Sequence, residues 1–208
     1  MRLIFLGAPA SGKGTQAGVL TVALGVPKIS TGDMLRAARA AGTPLGKAAD
    51  EYMAKGALVP DSVVIGLVEE RIAQPDAAKG FILDGFPRTV AQADALGEML
   101  VKKGAPIDAV IQIDVPESIL LERATGRRTD VRTGQIYHIK YNPPPSGAEL
   151  EHRADDREAV VASRLQAYNQ QTAALIPYYE GKGLLKRIDG DADPSEVTAR
   201  IRAAVTQN

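Results

Sequence analysis

Residues 7–15 read Gly-Ala-Pro-Ala-Ser-Gly-Lys-Gly-Thr and lie between an apolar run at 3–6 and a helical pattern that begins at residue 14. The glycines let the backbone turn so that successive N–H groups face inward toward an anion. The N-terminal end of the following helix adds partial positive charge, and Lys13 adds a full one. An ordinary turn between a strand and a helix would need neither Lys13 nor Thr15. Strand, glycine-rich loop, lysine and helix in this order therefore predict a phosphate-binding loop.

The position of the hydroxyl-bearing residue in this loop indicates which class of nucleotide-binding protein the sequence resembles. In the general pattern, Ser or Thr directly follows the lysine and contacts magnesium. Here Gly14 intervenes, and the hydroxyl comes at Thr15. This spacing resembles that of the nucleoside monophosphate kinases more than that of GTP-dependent switches or motor ATPases.

The composition excludes several classes of protein. The chain has 208 residues with 25 Lys+Arg and 25 Asp+Glu, so no overall charge draws it to nucleic acid or to a membrane. It has no cysteine, which excludes disulfides, thiolate zinc sites and a cysteine nucleophile. The N-terminus reads as a strand interrupted by Gly7 and Pro9 rather than as a signal peptide, and no apolar run is long enough to span a bilayer. We expect a soluble, cytoplasmic protein whose anion sites are local concentrations of arginine.

Strand and helix patterns alternate along the chain, which predicts an α/β fold with a parallel sheet covered by helices on both faces. The predicted strands are 3–6, 28–30, 81–83, 109–115 and 185–188. The predicted helices are 14–24, 33–41, 61–73, 90–103, 117–124, 157–181 and 195–205. In the long helix at 157–181, one face steps by three and four residues and is expected to be buried. Its members are Val161, Leu165, Tyr168, Thr172, Leu175 and Tyr179.

Two segments interrupt the alternation. Residues 126–156 have many turn formers, including Pro143-Pro144-Pro145-Ser146-Gly147, and no long period. Residues 30–59 read as helical but are broken by Gly42-Thr43-Pro44 and by Gly56. Both segments are predicted to be excursions from the core.

The stretch 81–88, Phe-Ile-Leu-Asp-Gly-Phe-Pro-Arg, is an apolar strand that ends in Asp84 before a tight turn. In doubly wound sheets, ligands bind at the carboxyl ends of the strands, where the phosphate-binding loop also lies. Asp84 is therefore predicted to hold magnesium, directly or through water, beside bound phosphates. The alternative for a single strand-end aspartate is a helix or turn cap.

Residues 30–36, Ser-Thr-Gly-Asp-Met-Leu-Arg, begin a helix. Thr31 is a candidate N-cap, and Asp33 reads as an ordinary acid of the first turn. Arg36 would project one turn further in, where it could bind a second anion.

The arginines give a second functional signal. Arg123 and Arg127 lie four residues apart around a predicted helix end, and Arg153 and Arg164 lie eleven apart, about three helical turns. Each arginine alone would be a solvated surface charge. Together with Arg36 and Arg88 they predict a set of clamps on polyphosphate oxygens, which planar guanidinium groups bind in pairs. Arg128 and Arg157 are expected on the surface.

Six motifs in this order resemble those of the long-lid type of the adenylate kinase family, and they extend over nearly the whole chain. They are Gly-Ala-Pro-x-Ser-Gly-Lys-Gly-Thr-Gln at 7–16, Ser-Thr-Gly-Asp-Met-Leu-Arg at 30–36, Leu-Asp-Gly-Phe-Pro-Arg-Thr at 83–89, Gly-Arg-Arg at 126–128, Ile-Tyr-His at 136–138 and Arg-Ala-Asp-Asp at 153–156. The resemblance implies a P-loop three-layer α/β/α fold with a five-stranded parallel sheet. It implies a core formed by 1–30, 60–125 and 157–208, an AMP-binding segment at 31–59 and a lid at 126–156. It also implies a monomer and a cis peptide bond before Pro87.

The resemblance assigns roles to individual positions. ATP binding falls to Ala10, Ser11, Gly12, Lys13, Gly14, Thr15, Arg123, Arg127, Ile136, Tyr137 and Ala192. AMP binding falls to Thr31, Arg36, Ala57, Leu58, Val59, Gly85, Phe86, Pro87, Arg88, Gln92, Arg153 and Arg164. Within this set, Gln92 would read the edge of the adenine. The catalytic set is Lys13, Arg88, Arg123, Arg127, Arg153 and Arg164.

Three positions depart from the pattern of the family. Ala10 stands where many members have glycine, a change that matters if the residue needs a positive φ. Members with zinc carry four lid ligands, mostly cysteine; the first two positions are Asp130 and Thr133 here, and the second pair is missing, so no structural zinc is expected. In lids without zinc, polar side chains at these positions can form hydrogen bonds instead, as Asp130 and Thr133 could here. Ala192 stands where some members have lysine, which is harmless if only its backbone meets the adenine.

The implied reaction is Mg·ATP + AMP ⇌ 2 ADP. Its acceptor is a phosphate oxygen that is already ionised, so no general base is needed, and His138 and His152 are expected to make structural hydrogen bonds only. Other possibilities are a GTP:AMP kinase, a UMP/CMP or GMP kinase, and a nucleotide-binding switch without kinase activity. The last of these leaves the arginine cluster unexplained.

Overall fold

The computed structural model describes residues 1–206, and its centre is a five-stranded parallel sheet. The strands of the chain are β1 Arg2–Leu6, β2 Lys28–Ser30, β3 Phe81–Asp84, β4 Ala109–Asp114, β5 Arg127–Asp130, β6 Ile136–His138, β7 Leu150–Glu151 and β8 Leu185–Asp189. The parallel sheet has the order β2-β3-β1-β4-β8. This confirms the predicted fold class. Residues 207 and 208, the end of the predicted core segment 157–208, lie outside the described residues.

The central strands β1, β3 and β4 are mostly apolar because helices cover both faces of the sheet. In β1, Ile4 and Leu6 pack into the core on one face of the sheet, whereas Leu3 and Phe5 pack into the core on the opposite face. The helices are α1 Lys13–Leu24, α2 Thr31–Ala40, α3 Pro44–Ala54, α4 Asp61–Ile72, α5 Val90–Lys102, α6 Glu117–Thr125, α7 Glu158–Ala167, α8 Leu175–Gly181 and α9 Pro194–Thr206. None of these helices is both long enough and apolar enough to cross a membrane.

The first excursion contains α2 and α3, separated by the predicted break. Thr43 caps α3, since its side chain accepts a hydrogen bond from the Gly46 N–H, and Pro44 occupies the first turn. The prediction that Thr31 caps α2 is wrong. Ser30 is the cap, and its hydroxyl accepts from the Asp33 N–H at 3.3 Å. Thr31 is thereby free to donate to a neighbouring strand end.

The predicted single helix at 157–181 is also wrong, because α7 and α8 are separated by a π-helical turn at Tyr168–Thr172. In the π-helical turn the Ala173 N–H donates to the Tyr168 carbonyl, five residues back. Pro177 prevents a regular helix from continuing across this point, because it has no N–H for the Ala173 carbonyl, which accepts from the Ile176 N–H at 3.1 Å instead. The expected buried face survives the interruption except at Tyr168, which is only partly buried.

The second excursion folds into a three-stranded antiparallel sheet in the order β6-β5-β7, which the sequence pattern did not predict. These strands have two to four residues, too few to show an alternating pattern. At its base, Gly126 allows the His138 ring to approach closely, because a Cβ at Gly126 would lie 2.2 Å from Nε2. The close contact joins the end of α6 to β6.

Candidate active site

The predicted site lies at the carboxyl edge of the parallel sheet. Ser30 is in register with Asp84, and Phe5 of the next strand is also in register with Asp84. The chain leaves β1 at Gly7, β2 at Thr31 and β3 at Gly85. Because parallel strands all end at the same edge, the phosphate-binding loop and the turn after Asp84 become neighbours.

The loop after β1 has the backbone that its glycines predict. Gly7 has φ +147°, and a Cβ there would lie 2.6 Å from both the Ile113 carbonyl oxygen and Ser11 Oγ. Gly12 has φ +96° and precedes α1. Ala10 has φ +65°, and within residues 1–206 no other residue except glycine has a positive φ. The alanine that replaces the usual glycine at position 10 is therefore strained, because a side chain in the left-handed region costs about 1–2 kcal/mol of conformational energy.

Lys13 folds back over this loop. Its Nζ donates to the carbonyl oxygens of Gly7 and Ala8, each at 2.7 Å, and to Ser11 Oγ at 3.3 Å. Burial lowers the pKa of Lys13 to about 8, while the charge of Asp84 opposes the shift and that of Arg88 adds to it. An ammonium held in this way gains from any anion that replaces lost hydration.

Asp84 ends β3 and lies directly against the start of α1. Its Oδ2 would be 3.4 Å from a Cβ at Gly14, and its carboxylate forms no salt bridge within residues 1–206. Mg²⁺ in nucleotide sites takes one or two carboxylates, with water and phosphate oxygens completing its shell. A lone carboxylate with free lone pairs beside a phosphate loop fits that requirement. Over residues 1–206 no three His, Asp or Glu side chains gather as a metal-binding group.

Three of the predicted arginines contact a pair of acids at the start of α7. Arg127 Nε donates to Asp156 Oδ2 at 2.8 Å, and Arg127 also binds the other oxygen of this fully buried carboxylate. Arg164 lies 3.4 Å from Asp155 Oδ2 and 3.6 Å from Asp156 Oδ1, and Arg36 lies 3.5 Å from Asp155 Oδ2. The two carboxylates offset the mutual repulsion of the three positively charged guanidinium groups, so these groups can lie close together.

In this cluster, burial and the charges of neighbouring groups shift the pKa values in opposite directions. Burial lowers the pKa of Arg164 to about 10, and Asp155 opposes the shift. Burial disfavours the charge of Arg127, but the hydrogen bond and charge of Asp156 outweigh burial and raise the pKa of Arg127. Burial also acts against Asp155, yet the charges of Arg164 and Arg36 lower the pKa of Asp155. Arg127, Asp155 and Arg164 are therefore charged at neutral pH.

Two predicted arginines have no acid of their own. Neither Arg88 nor Arg153 forms a salt bridge within residues 1–206. Burial lowers the pKa of both groups, and the charge of Arg36 acts in the same direction. Arg88 Nε donates to the Gly85 carbonyl at 2.8 Å, the same oxygen that accepts from Thr31 Oγ1 at 2.9 Å. The positive charge of these two arginines is available to a bound anion.

A cleft opens beside these arginines. Predicted AMP-binding residues that line it are Thr31, Arg36, Ala57, Leu58, Val59, Gly85, Arg88, Gln92 and Arg164. Lining residues that the sequence analysis missed are Gly32, Leu35, Met53, Gly56, Val64 and Asp155. Phe86 does not line the cleft, because its side chain is fully buried in the core, and neither Pro87 nor Arg153 is among the lining residues. The expected cis bond between Phe86 and Pro87 is present.

The predicted ATP-binding residues lie in the phosphate loop and the start of α1, on α6, in the small sheet and in the segment after β8. Ala10 and Ala192 are partly buried against the same core, Ser11 is buried and Thr15 is exposed. Arg123 extends from α6 and donates to the Gly190 carbonyl at 3.1 Å, two residues before Ala192. Ile136 and Tyr137 lie on β6 in the small sheet, half-buried.

Asp130 and Thr133 form hydrogen bonds at the end of β5 and in the turn that follows it. Asp130 Oδ1 accepts from the N–H groups of Arg132 and Thr133 at 2.9 and 3.0 Å, and Thr133 Oγ1 accepts from the Gln135 N–H at 3.2 Å. Asp130 thus organises the turn after β5.

The two histidines do not line the cleft, and neither do Arg128 and Arg157, the two arginines that were expected on the surface. His138 Nδ1 accepts from the N–H groups of Lys140 and Tyr141, and Nε2 lies 3.3 Å from the Glu122 carbonyl, which are hydrogen bonds of the structural kind that was predicted. His152 is exposed. Arg157 is exposed as expected, but Arg128 is partly buried and donates to the Thr125 carbonyl at 2.8 Å.

A glycine-rich phosphate loop beside an arginine-lined cleft, both at one edge of a parallel sheet, defines a P-loop nucleotide phosphotransferase. Comparison with known proteins identifies the family. The family model "Adenylate kinase" matches residues 5–184. The chain is similar to an adenylate kinase of Sorangium cellulosum at 57% identity, with 99% of this chain and 96% of the relative covered. It is also similar to adenylate kinases of Moorella thermoacetica and Archaeoglobus fulgidus, each at 54% identity with 98% and 97% covered. The chain belongs to the adenylate kinase family.

Proposed function

We propose that this chain transfers the terminal phosphoryl group of ATP to AMP, reversibly, to give two molecules of ADP. The observation that carries the proposal is the position of two anion sites side by side. The phosphate loop with Lys13 lies at the end of β1, and the arginine-lined cleft opens at the end of β3, the neighbouring strand. A protein that only bound one nucleotide would need only the first.

The main obstacle to this reaction is bringing two polyanions together in line. In the proposed mechanism, Lys13 and the loop N–H groups bind the ATP phosphates, while Arg36 and Arg88 bind the AMP phosphate. The catalytic set, which lies around the transferred group and stabilises its charge, is Lys13, Arg88, Arg123, Arg127, Arg153 and Arg164. Fixed positive charges of this kind act without reorganisation during the reaction, so positioning and electrostatics supply the rate enhancement.

No proton has to be abstracted from the acceptor. The AMP phosphate is largely ionised near neutral pH, because the second pKa of a phosphate monoester is about 6. Neither histidine is therefore assigned a part in the chemistry.

Asp84 would hold Mg²⁺ through water beside the ATP phosphates. The chemistry that the ion would supply there is neutralisation of phosphate charge. Asp84 itself would orient the water shell from the end of β3, where its carboxylate forms no salt bridge within residues 1–206.

Residues 31–59 and 126–156 are proposed to close over AMP and ATP as two mobile segments on the core. Closure would exclude water from the transferred phosphoryl group, and reopening would then limit turnover. Ile136 and Tyr137 of the lid are proposed to cover the adenosine of ATP. The family resemblance also supports a cytoplasmic monomer without a nucleic-acid or membrane partner, which size-exclusion chromatography with light scattering would test for the oligomeric state.

An acceptor and donor panel tests the proposal. ADP formation would be measured from ATP with AMP, UMP, CMP and GMP in turn, and from GTP with AMP. The proposal expects rapid ADP formation only with AMP as acceptor and ATP as the better donor. Preference for UMP or CMP would identify a pyrimidine nucleotide kinase, and preference for GTP a GTP:AMP kinase. Nucleotide binding without phosphoryl transfer would indicate a switch.

A further inference from the structure

We infer that Asp61 is a positioning residue that fixes the orientation of the Gln92 side-chain amide and thereby selects the base of the acceptor nucleotide. The inference rests on the proposed function, in which Gln92 reads the base of AMP. Asp61 is the first residue of α4 and does not itself line the cleft. Val59 and Val64 on either side of it do line the cleft.

The Gln92 amide is buried between two partners of opposite hydrogen-bonding character. Its Nε2 donates to Asp61 Oδ1 at 2.7 Å, and its Oε1 accepts from the Arg88 N–H at 2.7 Å. Gln92 is only 1% exposed. The other oxygen of Asp61 accepts from Thr89 Oγ1 at 2.8 Å, so the carboxylate is itself held in place.

These partners permit only one orientation of the amide. A carboxylate can only accept a hydrogen bond, and a backbone N–H can only donate one. In the flipped amide, Oε1 would face the Asp61 carboxylate and Nε2 would face the Arg88 N–H, so two attractive contacts would become repulsive. Without Asp61, only the Arg88 N–H would distinguish the two orientations.

The fixed amide retains one N–H and one lone pair for a ligand in the cleft. Adenine and hypoxanthine differ in the edge that such an amide reads. Adenine has an acceptor at N1 and a donor at N6, whereas hypoxanthine has a donor at N1 and an acceptor at O6. A flipped amide exchanges donor for acceptor, which is the change that would make the second base fit. A site built for one hydrogen-bonding pattern rejects a base that leaves its buried polar groups unpaired.

The experiment compares AMP with inosine monophosphate as acceptors in the full-length enzyme with saturating Mg·ATP. In Asp61→Leu the acceptor for Gln92 Nε2 is lost. We expect kcat/KM for AMP to fall about tenfold or more, mainly through KM, and the AMP to inosine monophosphate ratio to fall by about tenfold. In Asp61→Asn the side-chain oxygen still accepts from Gln92, and both values should stay within about threefold of the wild type. The KM for ATP should not change in either variant.

Two further variants separate positioning from loss of stability. Asp61→Ser keeps a residue suited to the first turn of a helix but is too short to reach Gln92, so it should lower the ratio as Asp61→Leu does, and it replaces that variant if the leucine prevents folding. Ile201→Val removes a buried methyl group from α9, in the core of the sheet face opposite to α4 and α5, and it should lower Tm while leaving the ratio unchanged.

Each result has a definite meaning. A wild type that makes no ADP from ATP and AMP would reject the proposed function. An active wild type that uses both acceptors equally well would overturn the inference about Asp61. So would an unchanged ratio in Asp61→Ser and Asp61→Leu, even with a lower Tm, because Asp61 would then only join α4 to α5.

Discussion

The donor side and the acceptor side of the site offer different groups to a bound anion. On the donor side, the loop at 7–15 offers mainly backbone N–H groups, and its one cation, Lys13, is bound to the carbonyl oxygens of its own loop. On the acceptor side, the charge comes from guanidinium groups on separate elements. Arg36 lies on α2, Arg88 follows β3 and Arg164 lies on α7.

The two sides therefore depend on different parts of the chain. The donor loop is a local structure, whose shape is set by a few consecutive residues. The acceptor cleft forms only when the whole fold brings distant residues together, and Asp155 contacts both Arg36 and Arg164 there. Changes in the donor loop should act through one charge or one backbone angle, whereas changes in the cleft should act on one substrate at a time.

The largest effect is expected for Lys13→Met. It removes the only cation of the donor loop, and we expect kcat/KM for ATP to fall by about 10³-fold, as for the loss of one preorganised charge contact to a reacting group. Stability should change little, with Tm within about 4 °C of the wild type, because burial of the ammonium already disfavours its charged form. Steady-state kinetics and thermal denaturation measure the two quantities. Activity within a few-fold of the wild type would reject the role assigned to Lys13.

A smaller and more selective effect is expected for Arg88→Ala. Arg88 has no salt-bridge partner to leave unpaired, so its loss should appear mainly in the use of AMP. We expect kcat/KM for AMP to fall by about 10²-fold while KM for ATP stays within about threefold. Arg157→Ala is the matched control, since Arg157 is exposed and should be dispensable. An equal rise in KM for both substrates in Arg88→Ala would contradict a separate acceptor side.

A pH profile separates the two sides without mutation. Burial lowers the pKa of Lys13 to about 8 in the free enzyme. Since kcat/KM reports the free enzyme, kcat/KM for ATP should fall above pH 8, approaching about tenfold per pH unit. Bound phosphates favour the ammonium, so kcat at saturating ATP and kcat/KM for AMP measured under those conditions should stay flat for at least one more pH unit. A flat kcat/KM for ATP up to pH 10 would show that Lys13 keeps its charge throughout.

The same contrast explains how much of the molecule the sequence predicted. The parallel sheet and the donor loop follow from local patterns, and the strand ends at Leu6 and Asp84 fixed their shared edge. The antiparallel strands of the small sheet were missed because two to four residues carry no periodic signal. The π-helical turn was missed because the hydrophobic face continues through it, although Pro177 was a local sign of a break.

The cleft shows the same limit at the level of single residues. Its arginines stood out as an unusual set of charges, but no local pattern shows that Asp155 would lie among them or that Asp61 would contact Gln92, thirty-one positions away. The apolar walls at Leu35, Met53 and Val64 read as ordinary core positions, since nothing in a helical face marks the part that borders a cavity. These contacts depend on how the elements pack.

The smallest predicted effect concerns Ala10. Its φ of +65° strains an alanine, and Ala10→Gly removes that strain at the expense of added freedom in the unfolded chain. We expect the free energy of unfolding to rise by about 0.5 kcal/mol, which corresponds to an increase in Tm of about 1–2 °C, with KM for ATP changed by less than about threefold. Ala8→Gly is the matched control, because Ala8 packs against the same core but has no positive φ, so that substitution should destabilise the protein. If both glycine variants lower Tm equally, the left-handed backbone at residue 10 carries no strain, and the donor loop tolerates its alanine without a cost to the fold.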